Sequence, residues 1–196
     1  MSARIFCLLS AADDLSLLPA LADAGIDGFQ VREKSLGTVD LVALTRSVLA
    51  AVRPRGATVV VNDRLDVALA AGADGVHLGA SDLAVADARR LAPGLLVGAT
   101  CRSRDEVVAA AEAGADYAGF GPVHATSSKD GLPAALGVAA VTAAAGVLPL
   151  VAIGGLDAAR AAEVRAAGAH GVAVIGAIWR HPDPVGSAKE LVAAVG

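Results

Sequence analysis

The chain reads Ala71-Gly72-Ala73-Asp74-Gly75 and continues directly into the apolar run Val76-His77-Leu78. Related pentapeptides, each between an alanine-rich amphipathic stretch and a short apolar run, occur at residues 24–28, 113–117 and 167–171. Glycine readily adopts the left-handed conformation that commonly ends a helix. The repeat therefore predicts a helix that ends on glycine and is followed at once by a buried strand. Copies roughly 40–55 residues apart correspond to two βα units each in an ordinary barrel, so four copies predict eight strands.

Eight apolar runs support the same count independently of the repeat. They are continuous rather than alternating, which is typical of parallel strands covered on both faces. Segments with helical periodicity lie between them, and one of these, residues 104–113, is preceded by Ser103 with Glu106 three residues on, a capping box. The predicted strands are 4–9, 28–31, 58–61, 75–78, 95–100, 117–120, 149–153 and 171–175.

Strands that alternate with helices predict parallel βαβ units. An open doubly wound sheet is the alternative, but no Gly-x-Gly-x-x-Gly follows the first predicted strand. We therefore predict an α/β fold, a (β/α)₈ TIM barrel that forms a single domain over residues 1–196.

The composition restricts the classes of partner. Of the 196 residues 55% are apolar and only 3% aromatic, and the formal net charge is −4, so no basic surface for nucleic acid is expected. Residues 131–156 carry no formal charge, but prolines and glycines divide them into a short helix and a strand, which argues against a membrane span. We expect a cytoplasmic protein with small phosphorylated molecules as partners. A homo-oligomer is one open alternative.

Cys7 and Cys101 lie in apolar surroundings without metal-ligand spacing. We expect two buried free thiols rather than a disulfide or a zinc site.

Polar residues gather just after the second, third and fourth predicted strands. Alternation along the second strand points Gln30, Arg32 and Lys34 the same way, although ordinary surface charges are an alternative there. Asp63 and Asp82 follow the next two strands. Each can cap a helix, but carboxylates on neighbouring loops are also the ligands that Mg²⁺ accepts. Because the carboxyl ends of barrel strands usually carry the active site, we predict a metal site at this rim.

The later predicted strands end in loops rich in hydroxyls or glycine. Thr126, Ser128 and Lys129 follow the sixth strand and offer donors suited to anionic oxygen. Gly155 and Gly176 follow the seventh and eighth strands, where glycine lets backbone N–H groups approach a phosphate beside the start of a short helix. An ordinary polar loop, and glycines needed only for tight turns, are the alternatives.

Together these residues resemble the thiamine phosphate synthases and the related thiazole tautomerases, from about residue 28 to residue 184. The order and spacing of several short motifs carry the resemblance. They are Gln30-Val31-Arg32-Glu33-Lys34, Val61-Asn62-Asp63-Arg64, Gly75-Val76-His77-Leu78-Gly79 with Asp82, Gly119-Phe120-Gly121-Pro122-Val123, Lys129, and Ala152-Ile153-Gly154-Gly155.

The resemblance implies a transferase of thiamine biosynthesis that joins hydroxymethylpyrimidine diphosphate to thiazole phosphate with Mg²⁺ and releases pyrophosphate. It implies Mg²⁺ on Asp63 and Asp82, and catalysis by cations that neutralise the leaving group. The implied contacts are Arg32, Lys34, Asn62 and Lys129 for the diphosphate, Gln30 and Thr100 for the pyrimidine, and Thr126, Ser128, Gly155, Ile175 and Gly176 for the thiazole phosphate.

The chain departs from the synthase pattern in several places. Ala80 stands where the synthases usually have glutamine, Gly176 stands where they have serine, and Thr100-Cys101-Arg102 replaces Ser-x-His. Residues 129–134 are more similar to the tautomerases.

Two residues argue for the synthases instead. Pro122 is the synthase residue at the position of the tautomerase histidine, and Asp82 is present. The leading prediction is the synthase. The alternatives are a metal-independent tautomerase acting on a thiazole carboxylate phosphate, with His124 as a displaced base, and a non-catalytic barrel that binds thiazole phosphate or thiamine phosphate.

Overall fold

Eight parallel strands close into a barrel in sequence order, with β8 paired to β1, in this computed structural model of the protein. The structure describes residues 3–126 and 134–196. The strands are β1 (Ile5–Leu9), β2 (Gly28–Val31), β3 (Thr58–Asn62), β4 (Gly75–Leu78), β5 (Leu96–Cys101), β6 (Tyr117–Phe120), β7 (Leu150–Ile153) and β8 (Gly171–Val174).

Helices connect the strands around the outside of the barrel. They are α1 (Leu18–Asp23), α2 (Thr38–Val52), α3 (Leu65–Ala71), α4 (Val85–Leu91), α5 (Arg104–Glu112), α6 (Val138–Ala144), α7 (Ala158–Ala166), α8 (Gly176–Trp179) and α9 (Pro184–Val195), with short 3₁₀ turns at Leu15–Leu17 and Arg53–Arg55. The predicted (β/α)₈ fold class is confirmed.

The repeated pentapeptide ends helices, as predicted, and it also joins neighbouring strands. Its glycines follow α1, α3, α5 and α7 with φ between 74° and 107°. In three copies the aspartate side chain also accepts a backbone N–H at the start of a neighbouring strand: Asp27 from Ile5 at 2.8 Å, Asp74 from Val59 at 2.8 Å and Asp116 from Val97 at 2.7 Å. The aspartates thus join adjacent strands at the amino-terminal end of the barrel, away from the predicted site.

The capping box before α5 forms only in part. The Ser103 hydroxyl accepts the backbone N–H of Glu106 at 3.2 Å, as predicted. The Glu106 carboxylate reaches past the cap and accepts the N–H of Arg102 at 2.6 Å. The second bond of the capping box is therefore made to Arg102, directly after β5, rather than to the cap residue Ser103.

The core has two parts, because each strand presents one face to the helices and the other to the barrel interior. Apolar residues of strands and helices fill the larger, outer part. The smaller part lies inside the barrel and contains Phe6, Leu8, Val60, Tyr117, Val151 and Ala173.

The free thiols are buried, as predicted, and burial raises the pKa of Cys101 to about 11. The uncharged stretch at 131–156 contains α6 and β7, although residues 131–133 lie outside the described part of the chain. Among the residues that the structure describes, no helix has the length and apolar character needed to cross a bilayer.

Candidate active site

A cavity of about 890 Å³ opens over the interior cluster, and all eight strands or the loops after them contribute to its wall. The cavity lies at the carboxyl ends of the strands, where barrels of this kind carry their active sites. The structure brings together the following predicted site residues: Gln30, Arg32, Lys34, Asn62, Asp63, Asp82, Thr100, Thr126, Gly155, Ile175 and Gly176. Ser128 and Lys129 lie outside the described residues.

Asp63 has a left-handed backbone conformation in the turn between β3 and α3. Its φ of 65° makes it the one residue other than glycine with a positive φ among those described, and its N–H donates to the His77 carbonyl at 2.8 Å. Helix α3 begins two residues later with Arg64 as its N-cap residue, so Asp63 does not cap it. Such a conformation is characteristic of residues held in place at functional sites.

Asp82 is held by a tight turn rather than by a helix. Its carboxylate accepts the Gly79 N–H at 2.7 Å, and the N-cap residue of α4 is Ala84. The capping alternative is therefore wrong for Asp82 as well as for Asp63.

The carboxylates of Asp63 and Asp82 lie close enough to interact directly. Burial raises the pKa of Asp63 above its usual value, the neighbouring Asp82 raises it further, and Lys34 and Arg32 oppose the shift. Two carboxylates that repel each other in a partly buried cavity form a suitable cation site. Among the described residues they are not part of a larger group of three or more potential metal ligands. Two carboxylate ligands with space for water and phosphate oxygens suit Mg²⁺ better than an ion that needs a full protein cage.

The predicted alternation after β2 is present. Arg32 and Lys34 line the cavity, whereas Glu33 faces away and accepts bonds from the Ser35 N–H at 2.7 Å and the Ala11 N–H at 3.1 Å. These bonds hold the pKa of Glu33 below its usual value. The two cations therefore face the cavity without a carboxylate from the same segment between them.

Buried polar groups form the floor of the cavity. Gln30 is 6% exposed. His77 is also buried, and its ring is hydrogen bonded to the Tyr117 hydroxyl at 3.1 Å and the Thr100 hydroxyl at 3.0 Å. Burial lowers the pKa of His77 to about 4, so the ring is neutral at physiological pH.

The glycines after β7 combine two roles that the sequence left as alternatives. Gly154 and Gly155 both have positive φ, and a Cβ on Gly154 would come within 2.6 Å of the Pro122 side chain. Close packing against the loop after β6 therefore requires glycine here, independently of any ligand. The same two residues also line the cavity, so their backbone is available to a bound anion.

Two arginines were missed by the sequence analysis. Arg160 and Arg180 both line the cavity, on the side of the β7 and β8 loops. The Arg160 guanidinium donates to the Gly155 carbonyl at 2.8 Å, and the backbone N–H of Arg180 donates to the Gly176 carbonyl at 3.1 Å. The sequence pattern that could have identified them is an arginine five residues after Gly155 and four residues after Gly176, about one helical turn further along the chain.

His124 does not occupy the position expected for a displaced base. It is absent from the cavity wall among the described residues, and its Nε2 is buried without a hydrogen-bond partner in that part of the chain. The prediction that His124 acts as a base in the site is therefore not supported by the geometry.

A closed barrel with cations, paired carboxylates and glycine loops around one cavity belongs to the class of barrels suited to phosphorylated small molecules. The family model for thiamine monophosphate synthase matches residues 4–178. The chain belongs to that family.

Relatives in sequence and structure agree with this assignment. The thiamine-phosphate synthase of Methanoculleus marisnigri is 49% identical over 181 residues, which cover 91% of this chain and 85% of the relative. A bifunctional thiamine biosynthesis protein, ThiM/ThiE of Symbiobacterium thermophilum, is 47% identical over 96% of this chain, which spans 40% of that protein. The structure of thiamine phosphate pyrophosphorylase from Pyrococcus furiosus superposes with a TM-score of 0.89 at 30% identity, covering 98% of this chain and 95% of that one.

Proposed function

We propose that the protein is a thiamine phosphate synthase, a transferase that joins hydroxymethylpyrimidine diphosphate to thiazole phosphate and releases pyrophosphate. The observation that carries the proposal is the shared cavity, in which Asp63 and Asp82 face the same space as Gly155 and Gly176. Such a cavity has one end suited to a metal-bound diphosphate and another suited to a monophosphate. The family membership supports the same reaction.

The residues after β2, β3 and β4 would bind the leaving group. Asp63 and Asp82 would hold Mg²⁺, which when bound supplies positive charge to the diphosphate oxygens. Arg32 and Lys34 would donate to the same oxygens, with Asn62 beside them. Lys129, which the resemblance assigns to the diphosphate, would bind these oxygens as well.

The reaction breaks the bond between the pyrimidine methylene carbon and the diphosphate oxygen, and the electron pair leaves with the diphosphate. The resulting cation is delocalised over the aminopyrimidine, and the lone pair of the thiazole nitrogen then forms the new C–N bond. No proton has to move in either step. Positioning of the partners and stabilisation of the leaving group therefore account for catalysis, and the neutral, doubly hydrogen-bonded His77 is not required as a base.

The thiazole phosphate would bind at the opposite side of the cavity. Backbone groups at Gly155, Ile175 and Gly176 and the hydroxyl of Thr126 would surround it, with Ser128 as a further proposed contact. Gly176 brings no hydroxyl where the synthases usually have serine. Arg160 and Arg180 line this side and supply charge there.

The geometry of the cavity does not favour the tautomerase alternative, because His124 is not part of the cavity wall described. Small phosphorylated substrates as partners and a cytoplasmic location remain predictions, as does the homo-oligomer alternative.

An assay of pyrophosphate and thiamine phosphate formation tests the proposal. The purified protein is given both substrates with Mg²⁺, with EDTA in excess of the metal, and with EDTA followed by further Mg²⁺. We expect both products to form in equal amounts with Mg²⁺, to disappear with EDTA and to return with added metal. Absence of product with Mg²⁺ would refute the synthase. Conversion of the thiazole carboxylate phosphate alone, with EDTA present, would establish the tautomerase instead.

A further inference from the structure

Three side chains from neighbouring strands form a buried hydrogen-bonded chain in the barrel. The Tyr117 hydroxyl on β6 lies 3.1 Å from His77 Nδ1 on β4, and His77 Nε2 lies 3.0 Å from the Thr100 hydroxyl on β5. All three residues line the cavity, but Tyr117 is 2% exposed and His77 is 9% exposed, whereas Thr100 is exposed. The chain therefore runs from the buried floor of the cavity to a side chain that is open to a ligand.

Glycines on β5 and β6 make the space for this chain. A Cβ on Gly98 would overlap the ring and hydroxyl of Tyr117, and a Cβ on Gly119 would lie 2.7 Å from His77 Cε1. Phe6 stacks on the Tyr117 ring, with centroids 5.8 Å apart and planes 8° from parallel. Packing therefore holds the rings of Tyr117 and His77 in place. The Tyr117 hydroxyl and the two ring nitrogens of His77 consequently have little freedom to move.

The surroundings of Tyr117 fix the direction of the hydrogen bonds. A neutral histidine has one nitrogen that donates and one that accepts. If Nδ1 carried the proton, it would donate to the Tyr117 oxygen, and the buried Tyr117 hydroxyl hydrogen would need another acceptor. Within residues 3–126 and 134–196, His77 is the hydrogen-bond partner of that hydroxyl. An unsatisfied buried donor is costly, which favours donation from Tyr117 to Nδ1 and a His77 proton on Nε2.

The direction of the hydrogen bond between His77 and Thr100 determines whether the Thr100 hydroxyl can donate to a ligand. In that arrangement Nε2–H donates to the Thr100 oxygen, which leaves the hydroxyl hydrogen of Thr100 available to a ligand in the cavity that Thr100 lines. Resting on the proposed function, we propose that Tyr117 and His77 are positioning residues that hold Thr100 as a hydrogen-bond donor to a ring nitrogen of the pyrimidine substrate. The exocyclic amine of that substrate is a hydrogen-bond donor, so it does not pair with a hydroxyl that also donates. It would bind an acceptor such as the Gln30 amide oxygen instead.

A double-mutant cycle tests whether Tyr117 acts through Thr100. Thr100→Val is expected to raise the KM of the pyrimidine substrate about tenfold, the scale of one hydrogen bond. Tyr117→Phe is expected to raise it about threefold to tenfold, with the KM of the thiazole substrate unchanged. The double variant should be no worse than Thr100→Val, because without the threonine hydroxyl the direction set by Tyr117 has no effect. Full additivity of the two losses would overturn the proposal.

Thr45→Val is the matched control for loss of a buried hydroxyl. Thr45 lies in α2, is fully buried and donates to the Leu41 carbonyl at 2.8 Å, away from the cavity. We expect this substitution to lower thermal stability without changing either KM. An equal rise in the pyrimidine KM in Thr45→Val would show that the effect of Tyr117→Phe is only structural, which would also overturn the proposal.

The tautomer of His77 can be measured without any turnover. Long-range proton–nitrogen NMR of the ¹⁵N-histidine-labelled wild-type protein separates a protonated ring nitrogen from an unprotonated one. The chain has four histidines, and the His77 signals are identified as those that shift in Thr100→Val. We expect the proton on Nε2, and a proton on Nδ1 would overturn the proposal even if Tyr117→Phe fails to fold. Because this readout does not depend on activity, its failure is distinct from failure of the synthase proposal.

Discussion

The Lys34 ammonium lies 3.6 Å from the Asp63 carboxylate, across the junction between the predicted diphosphate and metal sites. The Lys34 side chain is 60% exposed and that of Asp63 is 27% exposed, so an ion pair here adds little stability. In the proposed complex both groups gain new partners, the lysine a diphosphate and the aspartate a metal ion. The pair is therefore best understood as two binding groups that hold each other in the cavity before the substrate arrives.

Replacement of Lys34 by methionine should slow the reaction rather than unfold the protein. The substitution keeps most of the side-chain length and removes the charge that stabilises the departing diphosphate, so we expect kcat/KM to fall about a hundredfold. Steady-state kinetics with both substrates measure this. Lys189→Met, on the exposed face of α9, is the control and should retain normal activity. Wild-type kinetics in Lys34→Met would contradict a role at the leaving group.

The Asp63 carboxylate should make the stability of the metal-free protein depend on pH. Its pKa is raised in the folded protein, so folding favours the protonated form, and stability is lost as pH rises from the unfolded pKa through the folded one. Asn is neutral and tolerates the positive φ of Asp63. We therefore expect Asp63→Asn to raise the metal-free Tm by a few degrees at pH 7 and hardly at all at pH 3, while abolishing Mg²⁺-dependent turnover.

Asp66→Asn is the control for that experiment. Asp66 forms an exposed ion pair with Arg64, which lowers the pKa of Asp66, so its effect on stability with pH has the opposite sign. Its stabilising contribution is present above the unfolded pKa and is lost as pH falls through the lowered one. A lower Tm in Asp63→Asn than in wild type at pH 7, measured with EDTA, would contradict the account of two repelling carboxylates.

Neutralisation of the missed arginines should affect one substrate selectively. Arg160→Gln and Arg180→Gln remove positive charge from the β7 and β8 side of the cavity, so each should raise the KM of thiazole phosphate about threefold to tenfold. The KM of the pyrimidine diphosphate should change by less than twofold. Arg90→Gln, at an exposed ion pair on α4, is the control. An equal change in both KM values would show that the arginines do not distinguish the two anions.

A methyl group at Gly98 should destabilise the barrel. It would overlap the Tyr117 ring, which is stacked on Phe6 and cannot retreat easily. We expect Gly98→Ala to lower the free energy of unfolding by about 1–3 kcal/mol, the usual cost of overpacking. Denaturant titration measures it. Gly94→Ala, where a Cβ would meet no atom within 4 Å, should be neutral, and equal stability of the two variants would contradict the packing argument.

Much of the fold could be predicted because local chemistry repeats along the chain. Glycine at the end of four helices and continuous apolar strands set both the element order and the parallel class. The errors in strand bounds were small, such as β3 continuing to Asn62 and β8 ending at Val174. The second role of the repeat was not visible, because the aspartates bind amides of strands far away in sequence.

The sequence could place residues in the wall of the candidate site where they directly follow a strand, but not where they lie further along the chain. Alternation along β2 was enough to group Gln30, Arg32 and Lys34. Arg160 and Arg180 were missed because their side chains return to the cavity from the helices that follow β7 and β8. The orientation of His124 depends on how the loop after β6 packs against Gly155, which no local pattern in the sequence encodes.

The most direct test of the shared cavity is a crystal structure of the protein grown with Mn²⁺, pyrophosphate and thiamine phosphate, with the metal located by its anomalous scattering. We predict the metal between the carboxylates of Asp63 and Asp82, pyrophosphate beside Arg32 and Lys34, and the thiamine phosphate monophosphate beside Gly155 and Gly176. A metal bound away from both aspartates, or a monophosphate outside the β7 and β8 loops, would contradict the account.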